Sequence, residues 1–154
     1  MSDFNLKDII SHANIIIDNN QNIFTKIKSE IVESNKINKS ESIFFEVNQD
    51  LKDFNLKIEE IEMMQSFQKS FTSKKRYILI NKNLRNTIVQ NALLKTLEEP
   101  NSNVSIIIFV NNISLLLKTI ISRSQVYDFS NNYDSADKYK ALKDKLIQIG
   151  RAHV

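Results

Sequence analysis

Residues 87–110 read TIVQNALLKTLEEPNSNVSIIIFV, and the change of period inside this stretch decides the fold. Ala92, Leu93, Leu94 and Leu97 form an apolar stripe at helical spacing, which predicts a helix with one buried face. Thr87-Ile88-Val89-Gln90 has the spacing of a capping box at its start. Pro100 disfavours helical backbone at Glu99 and stops the helix there, so it should run from about residue 88 to residue 99. Val104–Val110 then reads as nearly continuous apolar character, far shorter than the ~20 residues a bilayer crossing needs. Such a run marks a strand buried on both faces.

The same two patterns alternate outward along the chain. Asn14–Ile17, Ile43–Val47, Tyr77–Ile80 and Val126–Phe129 read as further strands. Ile23, Ile27 and Ile31 lie four apart, and Ile58, Ile61, Met64, Phe67 and Phe71 lie three or four apart, predicting two more amphipathic helices. Strand alternating with helix implies a mainly parallel five-stranded sheet covered by helices on both faces, an α/β fold of the nucleotide-binding kind. Glu33–Glu41 reads as a short polar connection. Ser130–Ser135 reads as a polar break before a last helix carrying Tyr139, Leu142 and Leu146, placing a domain boundary near residue 131.

Composition removes several chemistries. The chain of 154 residues has the length of one domain, and 42% hydrophobic content fits a globular core. With no cysteine there is no disulfide framework, no thiolate nucleophile and no cysteine-ligated zinc. Twenty-one basic against eighteen acidic residues leave +3, and Lys74-Lys75-Arg76 is the one three-residue basic run, too weak for a nucleic-acid footprint. The abundance of Lys, Asn and Ile reads as an AT-rich genome. Residues 1–10 show no export signal, so a cytoplasmic protein without a membrane partner is expected. Gln148-Ile149-Gly150-Arg151-Ala152-His153-Val154 looks like a translated sequencing adapter, which implies a truncated gene product.

In such a fold ATP would sit where the first strand feeds its helix. There, Gly-rich backbone wraps the phosphates, a Lys adds charge and Ser or Thr holds magnesium. The turn here reads Asp18-Asn19-Asn20-Gln21-Asn22, with no glycine and a repelling carboxylate, and Thr25 and Lys26 follow in the wrong order and too late. The third strand runs into Asn81-Lys82-Asn83, with no acid to hold metal-bound water and a Lys that would repel magnesium. Two parts of an ATPase site are missing together, and no cofactor or metal is expected.

The segment Asn91-Ala92-Leu93-Leu94-Lys95-Thr96-Leu97-Glu98-Glu99-Pro100 closely resembles the AAA+ clamp-loader subunits of bacterial DNA polymerase III. Thr119-Ile120-Ile121-Ser122-Arg123-Ser124-Gln125 resembles that family's Ser-Arg-Cys motif, with Ser124 in place of the cysteine, and His12-Ala13 also fits. The likeness runs from about residue 8 to residue 130. The resemblance implies a RecA-like AAA+ domain over residues 1–131 and the first helix of a helical lid domain over 132–147, with 148–154 set aside as adapter. Loss of the phosphate loop and third-strand acids looks like the delta-prime subunit rather than gamma/tau, and the zinc insertion of many relatives is replaced by the Glu33–Glu41 loop.

By resemblance, the protein works in DNA replication, in a loader with gamma/tau and delta that places the sliding clamp on primer-template DNA. It would have no ATPase activity of its own, and Arg123 would reach in trans as an arginine finger into a neighbour's ATP site. Ser122, Ser124, Asn91, Leu94, Glu98, Glu99 and Pro100 would form the surrounding motif and interface. Taken without the resemblance, Arg123 is an ordinary solvated charge or a local ion pair. Asn111 and Asn112 stand near the family's sensor position but read as turn formers. Lys95 and Thr96 are expected as exposed helix residues, His12 as a packed structural histidine, and Met63, Met64, Phe67 and Phe71 as core. The rival readings are a gamma/tau-like active ATPase, which would bind ATP, and a stand-alone nucleic-acid-binding module, which would bind DNA with steep salt dependence.

Overall fold

The computed structural model describes residues 4–19, 22–38, 42–47, 54–70, 75–99 and 103–130. The expected lid helix at 132–147, the adapter segment 148–154 and Pro100 lie outside the described residues. Five strands, β1 (Ala13–Ile17), β2 (Ser42–Glu46), β3 (Arg76–Asn81), β4 (Val104–Val110) and β5 (Gln125–Asp128), alternate with helices α1 (Asn22–Asn38), α2 (Ile58–Lys69), α3 (Thr87–Glu98) and α4 (Lys118–Ser122). The strands form one sheet in the order β5-β1-β4-β3-β2, and every pairing is parallel. This is the RecA-like α/β arrangement expected from the sequence, and the strand boundaries differ from the expected ones by a single residue at most ends. None of the helices among the described residues is long and apolar enough to cross a membrane.

Burial on both faces explains the unbroken apolar strands. Ile15 and Ile17 of β1, Ile78 and Ile80 of β3 and Ile106 and Ile108 of β4 point into a core shared with Ile61, Met64, Leu93, Leu97 and Ile120 of α2, α3 and α4. Ile16, Leu79, Ile107 and Phe109 point the opposite way, onto Ile23, Phe24, Ile27 and Ile31 of α1. The chain's first described residues close that second face. Phe4 stacks at a tilt 5.0 Å from Tyr127 and 5.2 Å from Phe129, and the Leu6 N–H donates to Glu30 at 2.6 Å.

Four local expectations change. α3 is capped one residue earlier than the sequence suggested, by Asn86, whose Oδ1 accepts from the N–H groups of Ile88 and Val89 at 2.8 and 3.4 Å. Gln90 is therefore not a capping residue. It is 2% exposed; its Nε2 donates to the carbonyls of Leu84 and Leu115 at 2.5 and 2.9 Å, and its Oε1 accepts from the Leu117 N–H at 2.7 Å. One amide thus ties α3 to the loops that follow β3 and precede α4. Thr96 is buried, not exposed, because it shares the inward face of α3 with Leu93 and Leu97 and receives Gln65 and Gln68 of α2. Glu33–Asn38 belongs to α1, where a polar connection was expected. Of the Met and Phe cluster, Met64 and Phe67 pack in the core and Met63 is exposed, while Phe71 lies outside the described residues.

Of the basic run at 74–76, Lys74 lies outside the described residues, and Arg76 is not a surface charge. Arg76 is 2% exposed, and its guanidinium donates to the Phe67 carbonyl and Ser70 Oγ at 2.7 Å and to the Ser70 carbonyl at 2.9 Å. It lies 4.5 Å over the Phe67 ring. A permanently charged fork at the C-terminal end of α2 satisfies carbonyls that the helix leaves open. Burial lowers the pKa of Lys75 and raises that of Tyr77 beside it.

Two predictions follow from these buried polar anchors. Arg76→Met should cost about 3 kcal/mol in urea unfolding because three acceptors lose a charged donor in the interior, whereas the exposed Lys95→Ala should stay within about 0.5 kcal/mol. Gln90→Leu should cost about 2 kcal/mol and speed hydrogen exchange at the Leu117 amide, which loses its acceptor, more than at amides of β4.

Candidate functional site

A sheet sealed on both faces leaves its two edges, where strands begin and end, as the places for polar chemistry. At the edge where strands end, ligands of such folds bind at the point where strand order reverses, here between β1 and β4. The β1 end is occupied by Asp18, which is 8% exposed and accepts the Ile23 N–H on Oδ2 at 2.8 Å. A side-chain carboxylate therefore lies against the start of α1, where free amides and the helix dipole favour negative charge. The Asp18 N–H continues the ladder to the Val110 carbonyl at 3.1 Å.

At the end of β3 stands Lys82. Its ammonium pairs with Glu60 of α2 at 2.8 Å, with the two side chains only 7% and 18% exposed. Glu60 also accepts the Lys57 N–H at 3.0 Å, so one carboxylate both caps α2 and pins it to β3. Backbone bonds from Leu56 to Asn83 and from Asn83 to Phe54 lay residues 54–56 along the same strand end. Beyond β4, Asn111 is exposed, and Asn112 caps a 3-10 turn at Ile113–Leu115 by accepting the Ser114 N–H at 3.0 Å. Asn81, Lys82, Asn83, Val110 and Asn111 line a cavity of about 290 Å³ between the ends of β3 and β4. A larger hollow of about 630 Å³ lies between α1 and β2, and the Lys28–Glu46 ion pair crosses it at 2.7 Å.

The opposite edge carries the second site. α4 ends at Ser122, and Arg123 is its C-cap, in helical backbone, with its N–H donating back to Ile120 at 3.3 Å. Ser124 fixes the corner by donating its N–H to Ile121 at 3.1 Å and its Oγ to Ile120 at 2.7 Å, and Ser122 Oγ donates to Thr119 at 3.1 Å. Both serines satisfy carbonyls of a helix end inside their own loop. The Arg123 guanidinium reaches across to Glu98 at the end of α3, 3.2 Å from Nη2 to Oε1, with side chains 50% and 42% exposed.

The two segments that looked distinctive in the sequence thus meet in space through one ion pair. Of the remaining residues of the first segment, Asn91 and Glu99 are exposed on α3 and at its C-cap, and Leu94 packs partly against the core. His12 Nδ1–H donates to the Val104 carbonyl at 2.8 Å, holding the start of β1 to β4 as a packed structural residue. Among the described residues no cluster of three or more His, Asp or Glu side chains is arranged to hold a metal ion.

Arg123 and Asp18 stand at opposite edges. β1 has five residues and pairs with β5 from Asn14 to Ile17, so at about 3.3 Å per residue the edges are ~15 Å apart. Sequence reasoning missed Gln90, Arg76 and the Glu60–Lys82 pair. Gln90 was legible in principle, since positions 90, 93 and 97 fall on one helical face; the partners of Arg76 and Lys82 depend on packing.

Among curated proteins none matches the chain. The family described as "DNA polymerase III, delta subunit" matches residues 7–133, which takes in β1 through β5, both strand edges, and the segments of Glu98 and Arg123. The chain belongs to the DNA polymerase III delta-subunit family of the replication clamp loader.

Proposed function

We propose that this protein is a delta-prime-type clamp-loader subunit that binds no ATP itself and lends Arg123, in trans, to the ATP site of a neighbouring subunit. The observation that carries this reading is the position of Arg123: it stands exposed on the edge opposite its own β1–α1 turn. A guanidinium there is too far from that turn to serve a nucleotide on its own subunit, and it is free to face another chain.

The β1–α1 turn supports the first half of the proposal. A phosphate held there would take the amides at the start of α1, but the Asp18 carboxylate already accepts one of them. Nucleotide phosphate brought to that turn would meet a fixed negative charge a few ångströms away. At the end of β3, where a carboxylate would hold magnesium-bound water, the Lys82 ammonium is paired to Glu60. These residues do not fit a magnesium nucleotide, and no step is routed through one on this chain.

Mechanistically, Arg123 would meet the negative charge that grows on the equatorial oxygens of a neighbour's γ-phosphoryl group as it is transferred. Its planar fork presents several N–H groups and is mounted on a helix end braced by Ser122 and Ser124. The partners would be gamma/tau and delta, acting in the cytoplasm, with the sliding clamp and primer-template DNA engaged through the assembled loader. The helix expected at 132–147 would begin the lid domain.

Two measurements test the reading. ATP at millimolar concentration should leave the melting temperature of this chain unchanged, because a ligand that does not bind the native state adds no stability; a rise of several degrees would restore the active-ATPase alternative. In a loader reconstituted with gamma/tau and delta, Arg123→Ala should lower ATP turnover with clamp and primed DNA by ~10³-fold at the affected site while assembly, checked by gel filtration, is preserved. Unchanged turnover in an intact complex would remove the finger.

A further inference from the structure

We infer that Glu98 is a positioning residue for Arg123, holding the guanidinium by an ion pair where it can meet an oxyanion of the neighbouring subunit. The inference rests on the finger reading above and adds to it the residue that aims the finger.

The geometry supplies the grip. The ion pair runs from Nη2 to Oε1 at 3.2 Å, between a carboxylate and a group that carries five N–H donors in a fixed fork. One carboxylate leaves a fork of that size with donors to offer a second acidic partner. Both ends of the pair are mounted on rigid ground. Glu98 follows Leu97, which is 5% exposed in the core beside the fully buried Leu93 and Thr96. Arg123 follows a helix whose Ile120 is 0% exposed, and its neighbour Ser124 is bonded back onto that helix.

Electrostatics argue that the arrangement serves more than the helix. A carboxylate in the last turn of α3 faces the negative end of the helix dipole, where Lys or Arg would be preferred. Glu99 follows it and adds a second negative charge at the same end. A residue type set against its local preference, and held to the one Arg at the corner, fits a demand imposed from outside the helix. Without Glu98 the long Arg side chain would sweep many rotamers, and an assembling neighbour would meet it in the useful one only part of the time. The pair is half exposed, so it contributes little to folding, which separates an effect on aim from an effect on stability.

The test uses the loader reconstituted with gamma/tau and delta, carrying Glu98→Ala, Glu98→Gln, Arg123→Ala and the Glu98→Ala/Arg123→Ala double substitution. ATP turnover is measured with clamp and primed DNA, alongside the melting temperature of each chain. Glu98→Ala is expected to lower kcat about 3- to 5-fold with KM for ATP unchanged, since loss of aim affects the transition state and an exposed pair has a small coupling. Glu98→Gln should fall between wild type and Ala, because its amide oxygen remains a polar partner for the guanidinium while the charge is lost. Melting temperatures should agree within about 2 °C. In the double variant the Glu98 substitution should add nothing to the loss caused by Arg123→Ala.

A rise in turnover for Glu98→Ala would overturn the proposal, since Glu98 would then hold Arg123 back rather than aim it. So would unchanged turnover for Glu98→Ala in a loader where Arg123→Ala abolishes it, or an equal loss from Glu98→Ala on the Arg123→Ala background. If Arg123→Ala itself leaves turnover intact, the finger reading fails first and the role of Glu98 goes with it.

Discussion

The constraint on which the rest of this structure depends is a parallel sheet closed to water on both faces. β1, β3 and β4 carry Ile15, Ile16, Ile78, Leu79, Ile80, Ile106, Ile107 and Ile108 with no exposed surface, so neither face can hold a charge without a large desolvation cost. Parallel strands need helical crossovers, and those crossovers are what cover the faces. Charged side chains are thereby driven to the two edges, where loops enter and leave. Any chemistry the domain performs is confined to those edges before a single functional residue is chosen.

The two edges use their charges in opposite ways. Where the strands end, Asp18 is turned inward onto α1 and Lys82 onto Glu60, both in surroundings shielded from solvent. Breaking a pair as shielded as Lys82–Glu60 by removing one partner costs about 3 kcal/mol, so this edge behaves as a fixed brace between β3 and α2. Where the strands begin, Arg123 and Glu98 form a half-exposed ion pair. An exposed pair of that kind contributes at most about 1 kcal/mol to stability. The same interaction type braces the fold at one edge and adds little to it at the other, and burial decides which.

The fold was legible in the sequence because both of its signals are one-dimensional. Continuous apolar runs such as Val104–Val110 report burial on two faces, and stripes such as Ile23, Ile27 and Ile31 report burial on one. Polar residues gave less, since their role depends on partners brought from afar. Thr87–Gln90 imitates a capping box, but Asn86 makes the shorter connection to the amides of Ile88 and Val89, and Gln90 turns inward to three backbone groups that only the folded chain assembles. In the sequence Arg76 was only the end of a short basic run, because its acceptors, at the end of α2, are six to nine residues away and adjacent only once α2 is formed. Thr96 misled for a simpler reason: a β-branched hydroxyl can be buried cheaply when a neighbouring helix supplies donors such as Gln65.

The expectation for Arg123 came from a motif and not from physics. Nothing in its immediate sequence distinguishes it from any surface arginine, and the contact that the fold gives it comes from Glu98, twenty-five positions earlier. α3 and α4 lie on the same face of the sheet, so the loop that starts β5 and the helix end that precedes β4 are neighbours at one edge. β4 and β5 flank β1 in the sheet, which sets the spacing between those two helix ends before either side chain is considered. The strand order therefore does more than hold a core: it brings an acid and a base from separate segments to one corner. Gln90 then braces that corner from the far end of α3, since the same amide that fixes α3 also receives Leu117, the residue at which α4 begins.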